Sequence, residues 1–361
     1  MFFTEVFVMN TSMIVYRLFD VADEINLDLV QALWTSRNKI ASRLRLDRIS
    51  TKSITFKNPP VLVELGNHDL EINGKTYFTE VKARIFDIGV ISLILRIEFE
   101  EDVTEAEYLD MAIASENMPE DKIRESLDSV LETIEQACTK KRVSDFEEDF
   151  VVYYFKDEMP KWDIVPLLLK DKTPVSEQTR CNTLANYFSY SDDITYLAWD
   201  SALVYDKTGS LDVPDLLEFA NAQFLELRYY DNALADAIDR SYDELEEANV
   251  ANKANRVEAY RRIRSRLMEI MADISNIMGN INNALQVTED IFYARIYTRY
   301  LELLKATVWK DNIDYKLNTI QRTYTLMNEE VASYRLERMS ITSAAILAGI
   351  LLVSIVGLFF K

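Results

Sequence analysis

YRLERMSITSAAILAGILLVSIVGLFFK, residues 334–361, decides where this protein sits. From Ile341 to Phe360 no side chain is charged, and the polar atoms come only from Thr342, Ser343 and Ser354. Roughly 20 residues at 1.5 Å each match the ~30 Å hydrocarbon core of a bilayer. About a dozen are Ile, Leu, Val or Phe, which together favour insertion by on the order of 5 kcal/mol. Ser and Thr hydroxyls bond back to the carbonyl one turn earlier, so they cost little in lipid. A core helix of a water-soluble domain is shorter, and a surface helix keeps a polar stripe. The reading is one transmembrane helix, 341–360, with Ile341, Ala345, Gly349, Leu352 and Phe360 marking the anchor. Ala345 and Gly349 stand four apart, a spacing that lets two such helices approach closely.

Orientation follows from charge. Arg335 and Arg338 precede the span and Lys361 alone follows it, so the arginine side is expected to stay inside. Glu337 stands beside them. The expectation is a tail-anchored protein of the cytoplasmic (inner) membrane, single-pass, with the bulk of the chain in the cytoplasm. Met1 runs into FFTEVFVMN with neither a basic leader nor a cleavage site, which reads as no signal peptide.

The whole chain has 361 residues, 40 Lys+Arg against 60 Asp+Glu, a formal net charge of −20 and a pI near 4.6. That field repels phosphate backbones and anionic lipid, so nucleic-acid binding is not expected except through a local basic patch. Cys138 and Cys181 lie far apart and read as free thiols in a reducing compartment. Glycine and proline, 7 each, leave little for flexible linkers.

Upstream the pattern divides twice. Residues 1–207 read as a mixed α/β domain with a largely antiparallel sheet. TEVFVMN, MIVYRLF, VLVEL, LEINGKTYFTEVKARIF (with Asn73-Gly74 as a hairpin turn) and GVISLILRIEF are its first strands. FVVYYF and ITYLAWDSALVYD are two more, and EDKIRESLDSVLETIEQA is a helix opened by Pro119. Residues 208–338 carry apolar positions 3.5 apart, in three series. The first starts behind Pro214 and includes Leu217, Ala220, Phe224, Leu227, Asp231, Leu234 and Ser241. The second runs from Ile263 through Leu267 and Ile274 to Ile291, and the third from Ile313 through Ile320 and Met327 to Tyr334. That period predicts an antiparallel long-helix bundle or coiled-coil stalk. No proline or glycine separates the third series from the apolar run, so one helix is expected to pass from stalk into bilayer. The fold class is α+β with a helical stalk and an anchor.

Candidate sites are few. His68, the one histidine, sits in LGNHDLE, read as a strand-end turn with the imidazole exposed. One histidine supports neither a nucleophilic triad nor a zinc site. Gly-rich phosphate loops are missing, and no catalytic residue, metal or cofactor is expected. RVEAYRRIRSR gathers Arg256, Arg261, Arg262, Arg264 and Arg266, read either as a patch for an acidic partner or as intramolecular mates of DRSYDELEE across a hairpin. Asp231, an acid in a seam, reads as a structural polar position with Arg228 one turn back as its mate.

The stretches INNALQVTEDIFYARIYTRYLEL, NIDYKLNTIQRTYTLMNEEV and YRLERMSITSAAILAGILL resemble the family of "required for meiotic nuclear division" proteins. They are similar to its asparagine-containing turn, its Leu-Asn pair (Leu317-Asn318) and its Arg-Leu-Glu lead into the membrane (Arg335-Leu336-Glu337). Arg338 replaces that family's tryptophan. The resemblance covers about 280–360 and implies a distant, bacterial relative: a tail-anchored protein without known catalytic residues, whose mitochondrial members support translation.

The functional expectation is a non-enzymatic membrane scaffold. It would present the α/β domain on its stalk to an unknown protein partner, as a homo-oligomer. The alternative is a divalent-cation channel with a cytoplasmic domain and stalk helix. Such channels need two spans and a Gly-Met-Asn loop, whereas Met278-Gly279-Asn280 falls in the amphipathic stalk.

Overall fold

The structure is a computed structural model that describes residues 11–36, 41–43, 58–72, 74–99, 103–250, 253–284 and 290–359. TEVFVMN at the N-terminus, Asn73 and Phe360, all singled out above, lie outside the described residues.

In chain order the elements are β1 (Thr11–Asp20), β2 (Glu24–Ile25), α1 (Leu27–Ser36), β3 (Ala41–Arg43), β4 (Val61–Ile72), β5 (Lys75–Ile85) and β6 (Val90–Glu98). Next come α2 (Glu105–Ala114), α3 (Glu120–Ile134), β7 (Cys138–Thr139), β8 (Glu147–Phe155), α4 (Ile164–Leu169), α5 (Glu177–Leu184), β9 (Tyr187–Phe188), β10 (Asp193–Leu197) and β11 (Ser201–Asp206). The last described elements are the helices α6 (Asp212–Val250), α7 (Lys253–Ala284), α8 (Ile291–Leu303) and α9 (Ala306–Phe359).

Among the described residues nine strands form one sheet, in the order β3-β4-β5-β6-β1-β8-β11-β10-β9. Every pairing is antiparallel except β8 with β11. The largely antiparallel domain read from the sequence is therefore present. Alternation along β1 shows why the sheet needs cover on both sides. Met13, Val15 and Phe19 enter one core, and Ile14, Tyr16 and Leu18 enter the other. The first core is closed by α1, α2, α3 and α4, the second by the start of α6 and by α8.

Local chemistry sets the boundaries. Thr104 caps α2, and Glu107 reaches back to the Thr104 amide in a reciprocal box. Asp290 accepts from the Phe292 amide at the start of α8. Ile72 pairs with Lys75 across the β4–β5 hairpin, with Gly74 at φ +76°. At the β5–β6 turn Gly89 has φ +98°, and a Cβ there would lie 1.9 Å from the Ala22 carbonyl oxygen, so only glycine fits.

Two strand readings change. ITYLAWDSALVYD is two strands, β10 and β11, because the chain reverses at Ala198–Ser201, where the Ala198 amide bonds the Ser201 carbonyl at 2.8 Å. VLVELGNHDLEI is a single strand, and its pairing with β5 shifts between Glu64 and Gly66. His68 is thus an exposed strand residue opposite Thr79, not a turn residue. The bulge hid it, since one extra residue breaks the alternation on which strand reading depends.

The chain divides into two compact units, Met1–Tyr229 with Gly279–Trp309, and Tyr230–Met278 with Lys310–Lys361. Residues 212–227 of α6 are buried on every side, because the sheet covers one flank and α8 another. Leu217, Ala220 and Phe224, read above as a stalk seam, belong instead to the core of the first unit.

In the second unit the end of α6, most of α7 and α9 pack together. Ile313, Ile320, Met327 and Val331 are buried along α9, and Val257, Tyr260, Ile263, Leu267 and Ile274 along α7. Successive buried positions are three, four or seven residues apart, which keeps them on one side of each helix. Arg266 of α7 bonds Glu244 of α6 at 2.6 Å, and Arg264 bonds Asn328 of α9 at 2.8 Å. Helix α9 runs unbroken for 54 residues, carries the apolar stretch, and is long and apolar enough to cross a membrane. None of its most apolar window is buried.

Candidate functional site: a groove on one face of the sheet and an ionic cluster on the other

On the first face, α3 lies over β6 and leaves the middle of β4 uncovered, which opens a groove of about 330 Å³. Its floor is Leu65, Leu70, Val81, Leu93, Leu95 and Ile123. Its rim is His68 on β4, with Lys122, Glu125, Ser126 and Ser129 on α3. Positions 122, 125, 126 and 129 share one helical stripe, set beside the buried stripe Ile123, Leu127 and Val130 that anchors α3. Lys122 Nζ donates to the Asp69 carbonyl at 2.8 Å, next to His68. Ser126 Oγ donates to its own helix at the Lys122 carbonyl, 2.9 Å away.

On the second face, Arg84 of β5 meets Asp215 and Glu218 of α6. Arg84 Nη1 donates to Asp215 Oδ1 at 2.8 Å and also to Glu218. The Glu218 side chain is wholly buried. Burial drives its carboxyl up to about 7, Arg84 pulls it down, and the charge of Asp215 raises it further. Asp215 is likewise raised, by burial first, against the pull of Arg84. Burial works against the Arg84 charge, but the two carboxylates hold the guanidinium protonated well above its ordinary range. Two acids around one base are electrically neutral when they share one proton, and that is the state such burial favours.

Beside this cluster, three tyrosines of α8 bond to polar residues of α6. Tyr293 Oη donates to Asp212 at 2.9 Å, Tyr297 to Gln223, and Tyr300 Oη accepts from Asn221 Nδ2 at 2.9 Å. They are i, i+4 and i+7 on α8, which places them on one face. The periodicity of α6 gave no sign of these partners. Charged and amide residues within its apolar stretch, Glu218, Asn221, Gln223 and Glu226, were the available signal.

The positions singled out from sequence are distributed differently. Arg228 is not the mate of Asp231: it donates to Glu148 of β8 and lies over the Phe146 ring, 5.6 Å away. Asp231 instead accepts from Lys316 of α9 at 2.8 Å. Of the five arginines, Arg256 stands 3.9 Å from Glu330, Arg261 pairs with Glu258, Arg264 with Asn328 and Arg266 with Glu244. Arg262 is exposed. The pairing of Arg266 with Glu244 is the hairpin arrangement with DRSYDELEE anticipated above. Arg335, Ile341, Ala345, Gly349 and Leu352 are exposed along α9. Met278-Gly279-Asn280 lies in α7. Among the described residues no group of three His, Cys, Asp or Glu side chains is arranged to hold a metal ion.

Comparison with known proteins adds a family. A protein of Methanocaldococcus jannaschii, "Uncharacterized protein MJ0711", is 24% identical over 205 residues, 54% of this chain. The chain spans 62% of the length of that curated relative. No solved structure matches the chain. Neither the meiotic nuclear division resemblance nor a bacterial source gains support from these findings. The matching region, residues 10–212, carries the strands of the sheet and does not reach the C-terminal stretches on which that resemblance was read. The match to the family described as "Uncharacterized protein MJ0711, N-terminal domain" runs over residues 10–212, more than half of the chain, and the chain belongs to that family.

Proposed function

We propose that this protein is a non-enzymatic interaction protein held at the membrane by the C-terminal part of α9, with the sheet unit in the cytoplasm. The observation that carries the reading is the exposure of a continuous apolar helix: Ile341 is 61% exposed, Leu347 65% and Val353 74%. An exposed apolar surface this long has an aqueous cost that lipid removes. Arg335 and Arg338 sit at the foot of the span, on the side that the positive-inside bias keeps in the cytoplasm. The tail-anchored arrangement, the unknown protein partner and homo-oligomer formation through the Ala345/Gly349 face are parts of the same proposal.

The test is membrane fractionation of the full chain, with alkaline carbonate extraction. The wild-type protein is expected in the extracted membrane pellet. The Leu347→Arg/Leu351→Arg double variant should move to the soluble fraction, since each arginine costs about 2.5–3.5 kcal/mol at mid-bilayer. Wild-type protein in the soluble fraction without detergent sinks the proposal. Labelling of exposed Cys181 by an impermeant maleimide in inverted but not in right-side-out vesicles supports the cytoplasmic side. Magnesium flux through the purified protein in liposomes would replace the scaffold reading with the channel.

A further inference from the structure

The groove between α3 and β4 combines two chemistries in one place, and it stands independently of the membrane reading. Its floor is aliphatic and firmly set: Leu70, Val81, Leu93, Leu95 and Ile123 are each at most 4% exposed. Leu70, Leu93, Leu95 and Ile123 belong to the first core, which holds them in place independently of anything that enters the groove. Its volume of about 330 Å³ lies at the lower end of small-ligand pockets, with room for roughly ten carbon-sized groups.

The rim carries a localised positive end in a protein of net charge −20. Lys122 Nζ is held at 2.8 Å over the Asp69 carbonyl, which leaves two ammonium protons for a ligand. The imidazole of His68 lies in the same wall, one residue along β4. Glu125, one turn further along α3, disfavours a second negative charge. The Ser126 hydroxyl donates its proton to its own helix and so has none to offer a carboxylate.

We propose that this groove binds a small, mostly apolar monocarboxylate, its alkyl or aryl body on the Leu70–Leu95 floor and its carboxylate at Lys122 and His68. The apolar floor supplies affinity without direction, and the ammonium–carboxylate contact fixes orientation.

The test uses the full chain in nanodiscs and isothermal titration with octanoate, decanoate and neutral 1-decanol, with empty nanodiscs as the blank. Two added methylenes are expected to tighten carboxylate binding roughly tenfold. Lys122→Gln, at an exposed position, should weaken decanoate roughly tenfold and change 1-decanol less than twofold. Ser126→Trp, which fills the groove from its rim, should remove the binding of both. The unfolding midpoint of each variant establishes that it is folded. Decanoate binding that does not rise above the blank overturns the proposal. So does unchanged affinity in Lys122→Gln, or wild-type binding in a folded Ser126→Trp.

Discussion

Glu218→Gln tests the buried ionic cluster most directly. A carboxyl carried from 4.5 to about 7 by burial keeps its proton in the folded state while the unfolded chain has already released it. Between those values the unfolded state binds fewer protons, so stability falls as pH rises. The folded pKa is raised, so the cost is absent below about 4.5, grows through the window and is complete above about 7. The span corresponds to about 3 kcal/mol, at 1.36 kcal/mol for each pH unit. Glutamine is nearly isosteric with the protonated acid and does not titrate. Urea unfolding of the full chain in nanodiscs, at half-unit steps from pH 4.5 to 8, should show the wild type losing about 3 kcal/mol relative to Glu218→Gln. Titrating groups remote from the cluster cancel in that difference, and Asp215, which shares Arg84 with Glu218, is counted with the cluster. A flat difference, or one that grows in favour of the wild type as pH rises, refutes the reasoning. The second outcome would mean that Arg84 holds Glu218 ionised and that attraction outweighs burial.

Gly89→Ala should cost more than about 3 kcal/mol, read as a drop in the unfolding midpoint, because its Cβ meets the Ala22 carbonyl at 1.9 Å and its φ is +98°. Gly74→Ala, in open space at φ +76°, should cost only about 1 kcal/mol in the same assay. A double-mutant cycle on Asp231→Asn and Lys316→Met should give a coupling of about 1 kcal/mol, as expected for a half-buried pair 2.8 Å apart that links α6 to α9. An additive cycle would remove the structural role read for Asp231.

How much of this was legible in the chain depends on the range of the signal. The apolar stretch from Ile341, the strand MIVYRLF, the helix behind Pro119 and the Ile313–Val331 seam each depend on contiguous residues. Hydropathy and a repeat of 2 or 3.5 suffice to read them. The reading failed where one residue disturbed the repeat, as at the Glu64–Gly66 bulge. It failed again where a helix is covered on every side, as in residues 212–227. There a seam and a fully buried core element share the same apolar spacing, and only the packing of the sheet and α8 against α6 separates them. Arg84 and Glu218, 134 positions apart, gave no local sign of each other.

Sequence alone determined that this protein carries a bilayer-length apolar helix, a strand-rich first half and long helices after it. Each of those follows from the solvent preference of neighbouring side chains. Tertiary structure decided that Arg228 bonds Glu148 and Asp231 bonds Lys316, that His68 faces a groove, and that two acids share one buried guanidinium. A charge takes its partner from whatever the fold brings within about 3 Å, and nothing in the order of residues along a chain specifies that distance.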